Sequence, residues 1–248
     1  MCNLDLTVRI LDLRFRLRMP DFRSMSGYGQ FCPVAQAAEV FAERWTPLVL
    51  RELSCGSHRF NDLLRGVPRM SRTLLAQRLR TMERDGLVER SGDGYYLTAA
   101  GKDLIPVIEL LGNWGQRWAT SNLEAEDLDP ALLMWDVHRR VPADVLPDRR
   151  VVTMFRFREV PKERFWLVLE PIGVEVCYKD PGYPVDLHVT ADLKTFASVW
   201  LGHQRIEDAI FKGEIEFDGP RHLRLAFPRW LGLSMFAPLG RAMQAARA

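Results

Sequence analysis

The sequence predicts an α+β chain in two parts: a mostly helical half carrying one small hairpin, then a half of short strands and helices. Three observations predict it. Between residues 33 and 118, apolar residues recur at helical spacing behind hydroxyl and proline start signals. From 151 onward the signature changes to short β-rich runs divided by Pro and Gly. In between, residues 121–130 are acidic and hold little core, as a linker or the start of a connecting helix would. The expected division is an N-terminal extension at 1–24, a helical domain at 25–122 and a sheet domain at 123–248.

In the extension, Leu11, Leu13, Phe15, Leu17 and Met19 alternate with Asp12, Arg14, Arg16 and Arg18. Period two reads as a strand. The other reading is an upstream segment with no structural duty, with Met25 opening the folded part. Val34, Ala37, Ala38 and Phe41 then fall at helical spacing. Thr46-Pro47 predicts a second helix, with a capping hydroxyl and Pro at the first helical position, stopped at Gly56. Asn61 is placed to cap a short helix that Val67-Pro68 breaks. Ser71 caps a helix reaching Asp85, with Gly86 as its stop. Val88 to Arg90, a Ser-Gly-Asp-Gly turn and Tyr95 to Leu97 predict a tight hairpin. Thr98 caps a last helix to about Trp118. Beyond the linker, strands are expected at 151–157, 165–169, 174–178 and 185–190, and helices at 196–201, 206–211 and 223–230.

Composition removes several classes. Hydrophobic residues make up 47% and charged residues 27%, which is ordinary globular usage. No run of about 18 apolar residues exists to span a bilayer. Arg9, Arg14, Arg16 and Arg18 interrupt every early run, so no secretory signal is expected. The four cysteines are spread without a C-x-x-C pair, which points to a reducing cytoplasm. The five histidines show no metal-ligand spacing. Gly27-Tyr28-Gly29 and Gly101-Lys102-Asp103 lack the residues of nucleotide loops, and no nucleophile elbow occurs. Asp186 and His188 read as a surface pair, and Glu124, Glu126 and Asp127 as linker acids. Neither an enzyme, nor a cofactor, nor a metal is expected.

Charge is distributed unevenly. Residues 1–122 carry 17 Lys+Arg against 13 Asp+Glu, and residues 123–248 carry 17 against 19. The stretch from Arg59 to Arg90 holds eight Arg and four acids. That is an electrostatic footprint for a polyanion, or a solvated helical face.

The helix from Ser71 to Arg84 decides between them. On a helical wheel Leu75, Leu79 and Met82 fall on one side, and Thr73, Gln77, Arg80, Thr81 and Arg84 on the other. An exposed face of Gln and Arg suits the major groove, where Arg reads guanine and Gln reads adenine. Ser71, Arg72 and Thr73 sit at the helix start, where free N–H groups favour a phosphate. Helix, helix, turn, second helix and Gly-tipped hairpin make a winged helix-turn-helix. Arg59 and Arg90 would flank the groove. An amphipathic surface helix beside a hairpin is the plainer reading. The ordered set of start signals favours duplex DNA.

Cys32-Pro33, Arg44 to Leu53, Arg59 to Leu63, Met70 to Leu75, Arg78 to Arg90 and Tyr96-Leu97-Thr98 closely resemble the HxlR-type winged helix-turn-helix regulators. The resemblance covers about residues 30–120. It implies a dimeric bacterial transcription regulator that reads DNA through the 71–84 helix. The turn from Ser91 to Gly94 is shorter than is usual in that family. Leu104, Val107, Leu111, Trp114 and Trp118 recur at spacings 3, 4, 3 and 4, which is a coiled-coil seam or one flank of the domain's own core. A homodimer built on that seam would set two recognition helices about 34 Å apart.

In the second half, Pro181 to Leu187, Trp200-Leu201-Gly202, Asp208 to Gly213, Phe217 to Pro220 and Phe227 to Gly232 are similar to sterol-carrier-protein-like domains. That likeness implies an apolar cavity for a small lipid-like or aromatic ligand. Trp166, Phe196, Trp200, Phe227 and Trp230, with Phe165 and Phe236, are its candidate lining; a filled core is the other reading. Cys32, before Pro33 at a helix start, is the candidate redox thiol or a small buried side chain. The expected function is transcription regulation through a DNA-binding homodimer modulated by an apolar ligand. The alternative is a small-molecule or lipid-binding protein in which DNA binding is secondary.

Overall fold

The computed structural model describes residues 27–119 and 124–246; the alternating run at 11–19, Cys2 and Met25 lie outside them. The helical half runs α1 (Pro33–Phe41), α2 (Thr46–Ser54), α3 (Phe60–Gly66), α4 (Arg72–Arg84), β1 (Val88–Ser91), β2 (Gly94–Leu97), α5 (Ala99–Asp103) and α6 (Ile105–Trp118).

Its core is the inner side of α4. Leu75, Leu79 and Met82 pack with Val49, Leu50 and Leu63, all almost fully buried. Burial of each contributes about 1.5–3 kcal/mol. Ser71 caps α4, its Oγ accepting from the Leu74 N–H at 3.2 Å. Gly86 takes φ +69° just past its end. β1 and β2 pair antiparallel with Val88 opposite Leu97 and Ser91 opposite Gly94. Gly92 supplies the positive φ (57°) at the first position of the two-residue loop. Thr98 Oγ1 accepts from the Gly101 N–H at 3.1 Å and donates to the Gly86 carbonyl at 2.6 Å, tying the hairpin to α5.

Three starts differ from expectation. Trp45, not Thr46, precedes α2, with a left-handed backbone (φ 78°); Thr46 is the first helical residue and is buried, so its hydroxyl caps nothing. α3 begins at Phe60, and Asn61 lies inside it, where its Oδ1 accepts from Arg72 at 2.9 Å. The helix after Thr98 is two helices, broken at Leu104, because Pro106 has no N–H to give to the preceding turn.

The second half runs α7 (Pro130–His138), β3 (Val151–Phe157), β4 (Phe165–Glu170), β5 (Gly173–Cys177), β6 (Leu187–Ala191), α8 (Leu193–Trp200), α9 (Ile206–Phe211), β7 (Ile215–Asp218), α10 (Arg221–Trp230) and α11 (Ala237–Ala245). Sequence reading did not find α7, β7 or α11. The sheet order is β5-β4-β3-β6-β7. β3 and β6 are parallel, with Phe155 opposite Val189, and every other neighbouring pair is antiparallel. Alternation along the strands sorts two faces. Phe155, Phe157, Leu167, Leu169 and Val189 bury on the helix-covered face with Phe196 and Phe227. Val152, Trp166 and Val168 face the other way, beside Met154, Cys177 and Val185.

Two contacts between the halves stand out among the described residues. At the first, Glu52 of α2 is wholly buried. Its carboxylate accepts from Arg139, just past the end of α7, at 2.8 and 3.0 Å, from Arg51 at 2.6 Å, from Ser57 at 3.2 Å and from the Trp135 indole at 3.3 Å. Asp136 also pairs with Arg139, and Arg65 of α3 lies 5.3 Å over the Trp135 ring. Burial would raise the Glu52 pKa, but the Arg139 hydrogen bonds and the Arg51 charge outweigh it and hold the group ionised below its ordinary value. At the second place, α6 packs on α11. A side chain at Gly112 would strike the Phe236 ring, with Cβ 2.1 Å from it. The Gln116 amide donates to the Leu201 carbonyl at 2.9 Å.

Candidate nucleic-acid interface

The outer side of α4 stands free of the protein. Arg72, Thr73, Gln77, Arg80 and Arg84 are exposed, as is Ser71 at the cap, while Leu75, Leu79 and Met82 face inward. The reason is local: leucines at i and i+4 seek the core, and the residues between them are left outside. Thr81 is half-buried, so it belongs to the flank of this face. Arg78, two residues before Arg80 and so on the inner side, is buried and ion-paired with Glu43. Arg80 is held by its own helix, its Nε donating to the Ala76 carbonyl at 3.2 Å.

The other arginines are partly engaged. Arg72 donates to Asn61 and stacks 5.3 Å over Phe60, which docks the start of α4 on α3. Arg84 pairs with Asp85 at 3.2 Å. Arg59 makes a single antiparallel bridge to Gly94 beside the hairpin, and its Nε lies 3.3 Å from Asp93 at the hairpin tip. Arg90 is exposed on β1, 5.8 Å over the Tyr95 ring. The His58 ring stacks on Tyr96 at 4.5 Å, and the Tyr95 N–H donates to the His58 carbonyl, so the middle of the hairpin is braced. The exposed cations thus span the outer face of α4 and reach the hairpin.

α6 carries a second exposed surface, and an apolar one. Val107 (42%), Leu111 (49%), Trp114 (60%) and Trp118 (66%) are open to solvent, joined by Leu110 (69%), which the seam pattern did not include. Leu104 does not share it; it half-buries against the helical core at the α5–α6 break. α1 is similar: none of its residues is buried, Val34 is exposed, and Phe31 before it is fully exposed. Cys32 caps α1 at the surface and is not a buried side chain. The backbone N–H groups of Ala35 and then Val34 hold its thiol below its ordinary pKa.

The aromatic lining does not come together around open space, which corrects the expected cavity. Trp166 sits on the opposite sheet face from Phe196, Phe227 and Trp230. Phe155, Phe196, Phe227 and Trp230 interlock in the core, with Phe155 centred 5.8 Å from Phe196 and 5.9 Å from Phe227. A void of about 10 Å³ remains between Thr153, Phe227 and Trp230, room for a single water at most. Trp200 half-buries against the same core. Among the described residues no cluster of His, Cys, Asp or Glu could hold a metal, and no helix is long and apolar enough to cross a membrane.

Residues 40–123 match the family model described as HxlR-like helix-turn-helix. A Synechocystis protein named as an uncharacterized HTH-type transcriptional regulator, sll1512, is 33% identical over 112 residues, covering 42% of this chain and 80% of that one. YvaP of Bacillus subtilis, named in the same way, is 30% identical over 97 residues, covering 36% and 90%. Among solved structures, quinone-bound YodB from B. subtilis is 29% identical, covers 35% of this chain and 100% of that one, and has a TM-score of 0.33.

Proposed function

The chain belongs to the HxlR-like helix-turn-helix family, and we propose that it regulates transcription as a homodimer that binds duplex DNA through α4 and the hairpin, with affinity modulated from the sheet half. In this reading residues 25–122 are the DNA-binding and dimerisation domain and 123–248 the ligand-responsive domain. The observation that carries it is the outer side of α4, where Thr73, Gln77, Arg80 and Arg84 stand exposed opposite a fully buried leucine face. Arg80 and Gln77 read base edges; Ser71, Arg72, Thr73 and Arg84 hold phosphates at the groove edge; Arg59 and Arg90 hold them beside the hairpin. The exposed stripe of α6, with α1, supplies the twofold contact, since an uncovered apolar face of this kind marks an association surface. Cys32 is the thiol that reacts first with electrophiles.

Duplex titrations test the reading. Affinity should fall linearly on a log–log scale with salt, as phosphate contacts release counterions. Arg80→Ala should cost about 1–3 kcal/mol on the preferred sequence and relax one base position. An equal loss on every sequence would make Arg80 a phosphate contact. Duplex binding that ignores salt would overturn the reading.

A further inference from the structure

With the aromatic core filled, the sheet half offers a different space. A cleft of about 570 Å³ opens between α8, α9, the end of α10 and α11. That lies within the range of small-molecule sites. Its inner wall is aliphatic: Val199 and Leu231 are buried, and Ile206 and Leu233 half-buried. Its mouth is cationic. Arg205 and Arg241 both line it and are exposed. Arg205 has only a loose contact with Glu207, at 3.4 Å between two exposed side chains. Arg241 has no ion pair among the described residues. Two guanidiniums and the single carboxylate of Glu207 leave one surplus positive charge over an apolar wall. Guanidinium forks bind carboxylates in a bidentate way.

α11 connects this cleft to α6. Arg241, Gln244 and Ala245 face the cleft. Gly240, one residue before Arg241, lies between α6 and the end of α8: an added Cβ would come 2.6 Å from the Gln116 amide and 2.4 Å from the Leu201 carbonyl. Phe236, at the head of α11, lies on Gly112. A helix packed this closely cannot shift on one side without moving the other.

We propose that the cleft binds a small organic monocarboxylate with an apolar body, its head on Arg241 and Arg205 and its body on Val199, Leu231 and Leu233, and that α11 carries occupancy to α6. The binding stands alone; its regulatory meaning rests on the dimeric-regulator reading above.

Calorimetric titration of the full chain with decanoate, below its micelle concentration, tests the binding. Decanoate should saturate at one per chain, and decanol should bind at least about tenfold more weakly, since a charge-assisted hydrogen bond is lost. The double variant R205Q/R241Q changes two exposed side chains and should retain its circular dichroism while losing about tenfold or more in decanoate affinity. Absence of saturable decanoate binding, equal binding of decanol, or a double variant that binds as tightly as the parent would overturn the site. Hydrogen exchange of the α6 amides should slow when decanoate saturates; no change there would overturn transmission through α11. Neither measurement needs DNA. A chain that binds decanoate as described but not duplex keeps this site and loses the regulator reading, and the reverse result does the opposite.

Discussion

Glu52 and Gly112 mark two places where the helical half touches the sheet half, and they hold it by opposite means. Around Glu52 everything is charge and direction, with Arg51, Arg139, Ser57 and the Trp135 indole converging on one buried carboxylate. At Gly112 the join is shape: the Phe236 ring fills the place a side chain would take. The first junction weakens when a partner is removed, because a buried charge is left under-compensated in the interior. The second fails when volume is added. Together they grip the helix-turn-helix at α2 and at α6, so the frame that carries α4 is set by contacts on both sides of it.

The largest expected effect follows from removing Arg139. Arg139→Ala should lower unfolding free energy by about 3–5 kcal/mol in denaturant titration, since Glu52 keeps Arg51 as its one remaining ion-pair partner and Asp136 loses its ion pair. The apolar pair Glu52→Leu/Arg139→Met should be less destabilised than that single change, since neither charge then remains. If the paired variant is as weak as the sum of its singles, the two residues do not act as a unit. At the other junction Gly112→Leu should cost about 1–3 kcal/mol by overpacking, and Phe236→Ala in the same chain should recover most of it. Failure of that rescue would show that something other than the ring limits the space.

A smaller effect separates the junctions by pH. His138, on α7 beside the ionic cluster, has its pKa pushed by burial from 6.5 down to about 4, although its contact with the Trp135 carbonyl works the other way. On acidification the unfolded chain takes up this proton near pH 6.5, while the folded imidazole resists until near pH 4. Stability contributed by the neutral ring is therefore full above that window and falls as pH drops through it. Between pH 7 and 5 the parent should lose about 1–2 kcal/mol relative to His138→Gln. The comparison with the variant matters because Asp136, raised by burial, shifts stability in the opposite direction. Parallel pH curves for the two proteins would place the sensitivity elsewhere.

Legibility in the sequence tracked how many sides of an element were buried. α4 shows one apolar side, a Ser71 cap and a Gly86 stop, so its bounds and, Thr81 apart, its exposed residues could be read directly. The hairpin was readable for the same kind of reason, a glycine turn between two short runs. α7 escaped because it is wedged between the halves and is apolar nearly all round, with Leu133, Met134, Trp135 and Val137 buried. A wheel finds no preferred side in such a helix. Its Asp129-Pro130 start was the available signal: the Asp129 carboxylate accepts from the Leu132 N–H at 3.0 Å. Glu52 was equally hidden, since its partner Arg139 lies 87 positions away. The only hint was an acid placed directly before Leu53 in the buried stripe of α2. The aromatic residues of the sheet half misled because a packed core and a lined cavity use the same side chains.

The chain also carries its own optical reporter. Of its seven tryptophans, Trp135, Trp166 and Trp230 are buried, whereas Trp114 and Trp118 project from α6 at 60% and 66% exposure. Long-wavelength emission from water-exposed indole therefore arises largely from that one helix. A partner that covered α6 would move the emission maximum to the blue, and its release would move the maximum back, without any dye attached.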